Sequence, residues 1–305
     1  MSFTLKILGC SSATPTSWAY PSAQVLNMEE RYFLIDCGEG TQVQLRKHKV
    51  KFSKINHIFI THLHGDHFFG LVGLLSSFHL LDRKKDLHVY SPKGLKEIII
   101  TQFRITKTYL SYFIHFHELS SDEPVVVLDD KKLTVKALPL NHRIETYGYL
   151  FEEKIKERKL DIDSVVSHGI EVCDYRNLKL GKDYVADNGE IIKNETLTFD
   201  PPKPLSYAYC SDTAFEIKLF KWLENIDLLY HESTFLEDKA DLAKATGHST
   251  AKQAAIVAGE AKVGKLLLGH FSARYSDRNV FLDEAKKYFD NVEITSEGKE
   301  FTFHN

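Results

Sequence analysis

The hexapeptide His62-Leu63-His64-Gly65-Asp66-His67 follows the apolar run Ile58-Phe59-Ile60, so four metal-ligand side chains stand within six positions directly after a predicted buried strand. Side chains two residues apart on a strand share a face, and His62 and His64 can therefore reach one ion. Gly65 permits a turn that presents Asp66 and His67 to a second ion. Imidazole and carboxylate ligands favour zinc, with manganese or iron as alternatives. The competing interpretation, a polar loop with surface histidines, fits an isolated His-x-His better than this complete pattern.

Further ligands are expected at the ends of later strands. Residues 133–138, Ser206–Cys210 and residues 265–268 have the apolar patterns of strands, and a possible ligand follows each run. These ligands are His142, Asp212 and His270. Taken singly, His142 or His270 would more often be a structural histidine of intermediate burial. Their order after the first motif favours a dinuclear site instead.

The two expected ligand sets share one residue. The first ion takes three histidines, which are His62, His64 and His142. The second ion takes Asp66, His67 and His270. Asp212 then bridges both ions. Two zinc ions held in this way would lower the pKa of a shared water towards neutrality and polarise a scissile phosphate, and Asp66 could orient that water or take its proton.

Five other segments carry a resemblance to a known family. They are Leu8-Gly9-Cys10-Ser11-Ser12-Ala13-Thr14-Pro15-Thr16, Asp36-Cys37-Gly38-Glu39-Gly40-Thr41-Gln42, His231-Glu232-Ser233-Thr234, Gly247-His248-Ser249-Thr250 and His270-Phe271-Ser272-Ala273-Arg274-Tyr275. With the ordered ligands, they resemble the metallo-β-lactamase superfamily and, within it, the ribonuclease Z family, which matures the 3′ end of transfer RNA. The resemblance runs almost end to end. It implies an α/β fold of the αββα sandwich type, two Zn²⁺ ions per chain, a homodimer and cleavage of precursor tRNA to a 3′-hydroxyl and a 5′-phosphate on the trailer.

The resemblance also assigns an acid for the leaving ribose 3′-oxygen, which needs a proton as it departs. His248 takes this role, with Glu232 holding its ring and keeping it protonated. Ser233 stands where the family more often has Ala, a change between two small residues. Alternatively, Ser249-Thr250 is only a helix cap and His248 its neighbour. Arg274 is a candidate phosphate clamp, because guanidinium binds phosphate through two hydrogen bonds, or else an ordinary surface arginine.

Residues 151–204 depart from the regular alternation of strands and helices and are predicted to form an arm inserted into a single domain of residues 1–305. In the family, the corresponding arm holds the tRNA body, and the basic residues that could contact phosphates here include Lys154, Lys156, Arg158 and Lys159. The stretch nevertheless has nine basic and twelve acidic residues, and it lacks the family's Gly-Pro-rich turn. A solvated charged excursion or a dimer contact is the alternative. Arg46 and Lys47, in a second basic stretch, are further candidate RNA contacts.

Apolar periodicity predicts two clear helices, at residues 68–81 and 250–262, the second capped by Ser249 or Thr250. The 305 residues carry a formal net charge of -3, so any RNA binding must come from local basic patches, and neither DNA nor a membrane is an expected partner. The four scattered cysteines suggest reduced thiols, and the N-terminus lacks the pattern of a signal peptide, so a cytoplasmic location is expected. Three rival functions remain: a hydrolase of a small phosphodiester, thioester or sulfate ester, a broader ribonuclease, and a non-catalytic RNA-binding or dimer scaffold.

Overall fold

The structure, a computed structural model, describes residues 3–303. The strands in this range are β1 (Phe3–Gly9), β2 (Ala23–Met28), β3 (Arg31–Ile35), β4 (Ile55–Phe59), β5 (Leu87–Pro92), β6 (Ile114–Leu119), β7 (Val125–Asp129), β8 (Leu133–Pro139), β9 (Tyr147–Glu153), β10 (Lys159–Leu160), β11 (Tyr184–Val185), β12 (Ile191–Ile192), β13 (Thr198–Phe199), β14 (Ser206–Cys210), β15 (Leu228–Glu232), β16 (Lys265–Gly269), β17 (Val292–Ile294) and β18 (Glu300–Phe303).

The α-helices of the same residues are α1 (Thr41–Lys47), α2 (Gly65–Phe68), α3 (Leu71–Leu80), α4 (Leu95–Ile105), α5 (Ile162–Ser167), α6 (Tyr175–Lys179), α7 (Asn194–Leu197), α8 (Lys218–Trp222), α9 (Ala240–Thr246), α10 (Ala251–Glu260) and α11 (Asn279–Ala285). Short 3-10 turns cover Phe52–Lys54, Val172–Asp174 and Glu237–Lys239.

Two seven-stranded sheets pack face to face, the first in the order β18-β1-β2-β3-β4-β5-β6 and the second in the order β17-β16-β15-β14-β9-β8-β7. Their facing sides share one apolar core, in which Phe33 and Phe59 of the first sheet meet Phe151 of the second. Helices α1, α3 and α4 cover the outer side of the first sheet, and α8, α10 and α11 pack on the second. The predicted αββα order of layers is confirmed.

The strands that carry the expected ligands lie where the sequence predicts them. β14, β15 and β16 pair in parallel and are buried on both faces, which explains their nearly continuous apolar sequences. β8 likewise contains the predicted residues 133–138. Parallel strands end at the same edge of a sheet. The residues that follow β14 and β16 therefore emerge at one edge, on either side of β15.

The helix predicted at residues 68–81 is present as α3, which begins three residues later than predicted. α2 ends at Phe68 and α3 begins at Leu71, with Phe69 and Gly70 between them. The amide of Gly70 donates to the carbonyl of Cys37 at 2.9 Å, and the carbonyl of His67 accepts from the amide of Cys37 at 2.7 Å, so these two groups bond to the neighbouring loop and not within a helix. Only glycine fits at position 70, because a Cβ would lie 2.2 Å from the carbonyl oxygen of Gly38. The other predicted helix is confirmed in α10, where Thr250 caps the N-terminus by a capping box with Gln253.

The arm leaves the second sheet between β9 and β14. Residues 151–153, which the sequence assigned to the arm, belong to β9. Beyond them the arm has a small core of its own, made of Leu160, Val165, Ile170, Leu178 and Leu197. Two short ladders, β10 with β13 and β11 with β12, complete it. We propose that the two sheets form one domain from which this arm protrudes.

Within residues 3–303, no helix is long and apolar enough to span a membrane. All four cysteines are free thiols, and three of them, Cys10, Cys37 and Cys210, are buried. The expectation of unpaired cysteines is therefore confirmed.

Candidate metal centre

Seven side chains from five segments meet at one edge of the sandwich. His62 and His64 lie in the loop after β4, and Asp66 and His67 lie in α2. The other three follow β8, β14 and β16 and are His142, Asp212 and His270. Gly65 does not provide the predicted turn, because it is the first residue of α2. A side chain has no room there, since a Cβ on Gly65 would lie 2.3 Å from the Phe69 ring.

The first group consists of three histidines and one oxygen of Asp212, and these four residues could together hold a metal ion. His64 Nδ1 lies 3.0 Å from His62 Nε2 and 3.3 Å from His142 Nε2. Asp212 Oδ2 lies 3.6 Å from His62 Nε2 and 3.9 Å from His142 Nε2. The ring nitrogens therefore face a common point, with His64 presenting Nδ1 where its partners present Nε2.

The second group consists of Asp66, His67 and His270, which also could hold an ion. Asp66 Oδ2 lies 3.4 Å from His67 Nε2 and 3.5 Å from His270 Nε2. Asp212 Oδ1 lies 3.1 Å from each of these two nitrogens. One carboxylate thus offers one oxygen to each group, as a bridging ligand requires.

These residues fit a dinuclear metal site. His67 Nε2 and His270 Nε2 are buried and have no hydrogen-bond partner among the described residues, a costly arrangement that a bound cation would relieve. Burial lowers the pKa of His62 well below its ordinary value, and the neutral imidazole is the form that binds metal. The nitrogen and oxygen donors are those that zinc prefers.

Asp36 and Thr61, which lie behind the proposed ligands, hold the rings of His62 and His67 in place. His67 Nδ1 donates to Asp36 Oδ2 at 2.7 Å, and the Tyr209 hydroxyl donates to the same oxygen at 3.0 Å. The Thr61 hydroxyl contacts Asp36 Oδ1 at 3.0 Å and His62 Nδ1 at 3.0 Å. Such contacts fix the tautomer and aim the opposite nitrogen at the metal. Asp36 stands in one of the segments that carry the family resemblance, but the sequence analysis predicted no role for it.

Other ligands are held by segments that are remote in sequence. His142 Nδ1 donates to the carbonyl of Gly247 at 2.7 Å, and His270 Nδ1 donates to the Thr234 hydroxyl at 2.8 Å. The amide of Ala13 donates to Asp66 Oδ2 at 2.8 Å. Sequence reasoning missed both Thr234 and Ala13, although each lies in a segment that carried the family resemblance.

Three of the key acidic and histidine residues have a left-handed backbone. The φ angles are 57° at Asp36, 55° at Asp212 and 57° at His270. Asp36 and His270 come directly after the last residue of a buried strand, and Asp212 comes two residues after one. This conformation is uncommon for residues other than glycine and costs free energy. It turns the chain sharply at the edge of the sheet, so that the side chains point into the site.

Beside the second group, the partly exposed His248 pairs with the buried Glu232. His248 Nδ1 donates to Glu232 Oε1 at 2.8 Å. Glu232 also accepts hydrogen bonds from the amides of Thr213 and Thr234 and from the Thr234 hydroxyl. Burial opposes a charge on His248, but the Glu232 carboxylate outweighs it and raises the pKa of His248 to about 9. His248 Nδ1 is also 3.9 Å from Asp212 Oδ2, yet its proton is already engaged by Glu232.

A cleft of about 310 Å³ opens over these groups. Arg274 lines it and is exposed, as a phosphate clamp would be. Arg143, directly after His142, lines the same cleft and is also exposed. The sequence argument did not select Arg143, although its position next to a ligand was visible.

The comparisons with known proteins agree with this arrangement. Ribonuclease Z of Bacteroides fragilis is 47% identical over 295 residues, which cover 97% of this chain and 97% of the relative. Ribonuclease Z of Bacteroides thetaiotaomicron is 45% identical over 303 residues, covering 99% of this chain and 96% of the relative. The chain belongs to the ribonuclease Z family. The family model described as anti-Pycsar protein Apyc1 also matches residues 3–158, just over half of the chain.

Solved structures show the same fold. The short form of human tRNase Z superposes with a TM-score of 0.72 at 27% identity, covering 98% of this chain and 98% of that chain. The metallo-beta-lactamase fold protein YhfI from Bacillus subtilis gives a TM-score of 0.70 at 20% identity, with 99% of each chain covered. The sandwich of this ribonuclease Z family member is thus shared along its whole length.

Three of the basic residues predicted to contact tRNA in this ribonuclease Z family member lie at the base of the arm and face carboxylates. Lys154 Nζ is 2.6 Å from Asp129, and Lys156 Nζ is 2.5 Å from Glu29. Arg158 pairs with Asp200 and donates to the Thr198 hydroxyl at 2.7 Å. The pairs of Lys154 and Lys156 tie the arm to the sandwich, and that of Arg158 lies within the arm. All three leave the side chains less available to phosphate. Lys159, in β10, is exposed and has no ion pair among the described residues.

Proposed function

We propose that the chain is a zinc-dependent endoribonuclease that removes the 3′ trailer of precursor tRNA and leaves a 3′-hydroxyl on the tRNA and a 5′-phosphate on the trailer. The observation that carries this proposal is the joint presence, in one cleft, of a carboxylate shared by two ligand groups and of His248 paired with the buried Glu232. The extensive identity to Ribonuclease Z of Bacteroides species supports the choice of substrate.

The proposed metal site holds two Zn²⁺ ions, with Mn²⁺ or Fe²⁺ as the alternatives. His62, His64 and His142 would hold one ion, and Asp66, His67 and His270 the other, with Asp212 between them. When bound, such a pair activates a water and polarises the phosphate. Elemental analysis of protein purified without chelator tests the metal and its stoichiometry, and a metal content near zero would contradict the assignment.

The remaining chemistry belongs to the protein's own side chains. Asp66, held by the Ala13 amide, faces the position between the ligand groups and can orient the attacking water. When its ring is charged, His248 holds one proton on Nδ1 against Glu232 and can give the other, on Nε2, to the leaving 3′-oxygen. Glu232 keeps that ring charged and fixed. Arg274 and Arg143, on the rim of the cleft, can bind the phosphates on either side of the cleaved bond.

The deciding experiment uses a 3′-extended precursor tRNA. Metal-loaded protein should cut it once near the end of the mature sequence, and end mapping should find a 3′-hydroxyl on the tRNA and a 5′-phosphate on the trailer. Bis-p-nitrophenyl phosphate is assayed in parallel. Hydrolysis of this small diester without cleavage of the precursor would favour a small-molecule phosphodiesterase. This alternative needs a test because Lys154, Lys156 and Arg158, the expected tRNA contacts, are paired with carboxylates.

We also propose a homodimer and a cytoplasmic location, the latter because precursor tRNA is the proposed substrate. Large apolar side chains are strongly exposed near the ends of α3 and α4: Leu80 (80%), Ile105 (72%), Tyr109 (81%) and Phe113 (77%). Exposed apolar patches of this kind mark interaction surfaces. Sedimentation velocity should show a dimer, and Tyr109→Glu combined with Phe113→Lys should give a folded monomer.

A further inference from the structure

A second cavity, of about 940 Å³, lies at the edge of the first sheet opposite the metal centre. It is formed where β4 and β5 begin, whereas the metal ligands follow the end of β4. Its walls are the segment after α1 and the segment after α3. The buried Arg83 lines this cavity, and so does one acidic residue, Asp82. Six further cationic side chains line it: Arg46, Lys49, Lys51, Lys54, Lys84 and Lys85.

The walls of this basic pocket are fixed to each other by Arg83. Its guanidinium donates to the carbonyls of Lys85 at 2.7 Å, Ile55 at 2.8 Å and Asp86 at 2.8 Å, and to the side chain of Asn56 at 2.9 Å. These bonds join the loop before β5 to the start of β4. The pocket is therefore preformed, which lowers the entropic cost of binding a ligand.

Most of the positive charge in the pocket is not neutralised by the protein. Lys84 pairs with Asp82 at 2.6 Å, and Lys54 approaches Glu30 at 3.7 Å. Arg46, Lys49, Lys51 and Lys85 form no ion pair with any carboxylate in residues 3–303. Like charges gathered around one cavity repel each other and destabilise the fold, in a chain whose net charge is -3. A bound anion would remove that repulsion.

The floor of the basic pocket is apolar and aromatic. The guanidinium of Arg46 lies over the Phe52 ring at 5.1 Å from its centroid, and Phe52 meets Phe78 edge-on at 5.9 Å. This cation–π contact places Arg46 beside the cavity, and a guanidinium can bind a phosphate through two hydrogen bonds. Leu81 and Val50 add apolar surface beside it. Phosphate-binding cations around an apolar floor match the two parts of a nucleotide.

We propose that the basic pocket binds a single-stranded RNA segment, with Arg46, Lys49, Lys51 and Lys85 on its phosphates and the apolar surface of Val50 and Leu81 against a base. That the polyanion is RNA rests on the proposed function. The concave shape suits a nucleotide inserted between two walls and does not suit a flat anionic surface. The site lies at the edge opposite the cleavage centre, so it would contact RNA away from the cut bond.

The test compares two triple variants of the full-length, metal-loaded protein. One is Lys49→Ala/Lys51→Ala/Lys85→Ala, and the control is Lys96→Ala/Lys221→Ala/Lys287→Ala, which removes the same charge from exposed lysines elsewhere. Fluorescence anisotropy measures the affinity for a labelled, unstructured RNA oligonucleotide at several salt concentrations. The pocket variant should bind at least about tenfold more weakly, and its slope of log affinity against log salt should fall by about 0.7 for each lost phosphate contact. The control should bind like the unmodified protein.

Equal losses in both variants, or no loss in either, would overturn the proposal. Adenosine monophosphate that binds as tightly as the oligonucleotide, and only to protein with an intact pocket, would also overturn it in favour of a free-nucleotide site. Hydrolysis of bis-p-nitrophenyl phosphate should be unchanged in the pocket variant, because the metal centre is at the other edge. If the unmodified protein binds RNA through the pocket but leaves precursor tRNA uncut, the proposed function fails while the pocket assignment stands.

Discussion

Replacement of His248 by Ala separates proton donation from metal binding. The Glu232 carboxylate raises the pKa of His248 to about 9, so the ring should carry both protons at neutral pH and the acid is available. Its removal should lower the rate of precursor tRNA cleavage by about 10²–10⁴, the usual contribution of a general acid, or about 3–5 kcal/mol in the activation barrier. Glu232 keeps its hydrogen bonds from Thr213 and Thr234, so the variant should still fold.

The comparison substrate for His248→Ala is bis-p-nitrophenyl phosphate. Its phenolate leaves without a proton, so its hydrolysis should fall by less than about tenfold. Zinc content, measured on the same preparation, should match that of the unmodified protein. Equal rate losses on both substrates would refute the acid role. Loss of zinc would instead indicate that His248 is a metal ligand. This is the main alternative to the acid role, because His248 Nδ1 lies only 3.9 Å from Asp212 Oδ2.

The remaining predictions concern the metal, the arm and the stability of the fold. Asp212→Ala should reduce both activity and metal content, because it removes an oxygen from each ligand group, and unchanged zinc by elemental analysis would contradict the bridging role. Asp36→Asn should leave the ligands in place but weaken zinc binding by about 10- to 100-fold through the lost carboxylate contact with His67, as a competition assay with a chelating dye would show. Replacing residues 161–197 by a short Gly-Ser turn between β10 and β13 should weaken precursor tRNA binding and flatten its salt dependence while small-diester hydrolysis stays the same; unchanged affinity would show that the arm is not an RNA site. Burial and the nearby His88 lower the pKa of His57 to about 3 from its ordinary value of 6.5, so the unfolded chain binds the extra proton and the free energy of unfolding should fall as the pH drops from about 6.5 towards 3. Urea denaturation at pH 7 and pH 5 should show a smaller loss for His57→Phe than for the unmodified protein.

The clustering of the proposed metal ligands could be predicted from the sequence because their chemistry is local. His62, His64, Asp66 and His67 stand within one short segment, and His142, Asp212 and His270 each follow a strand that its apolar residues reveal. The layers of the fold follow from the same patterns with help from the family resemblance. The helix cap at Thr250 was also predictable, since a capping box involves residues only three positions apart.

The tertiary structure alone decided everything that depends on contacts between distant segments. The break before α3 comes from Cys37, which bonds the amide of Gly70 and the carbonyl of His67, and no local pattern contains those contacts. The orienting roles of Asp36 and Thr234 arise only when strands from both sheets end at one edge. A sequence shows that a lysine is charged but not which group it faces. The sequence predicts both Lys156 and Arg46 as RNA contacts. In the fold Lys156 lies against Glu29, whereas Arg46 lines a pocket in which most of the positive charge has no carboxylate partner.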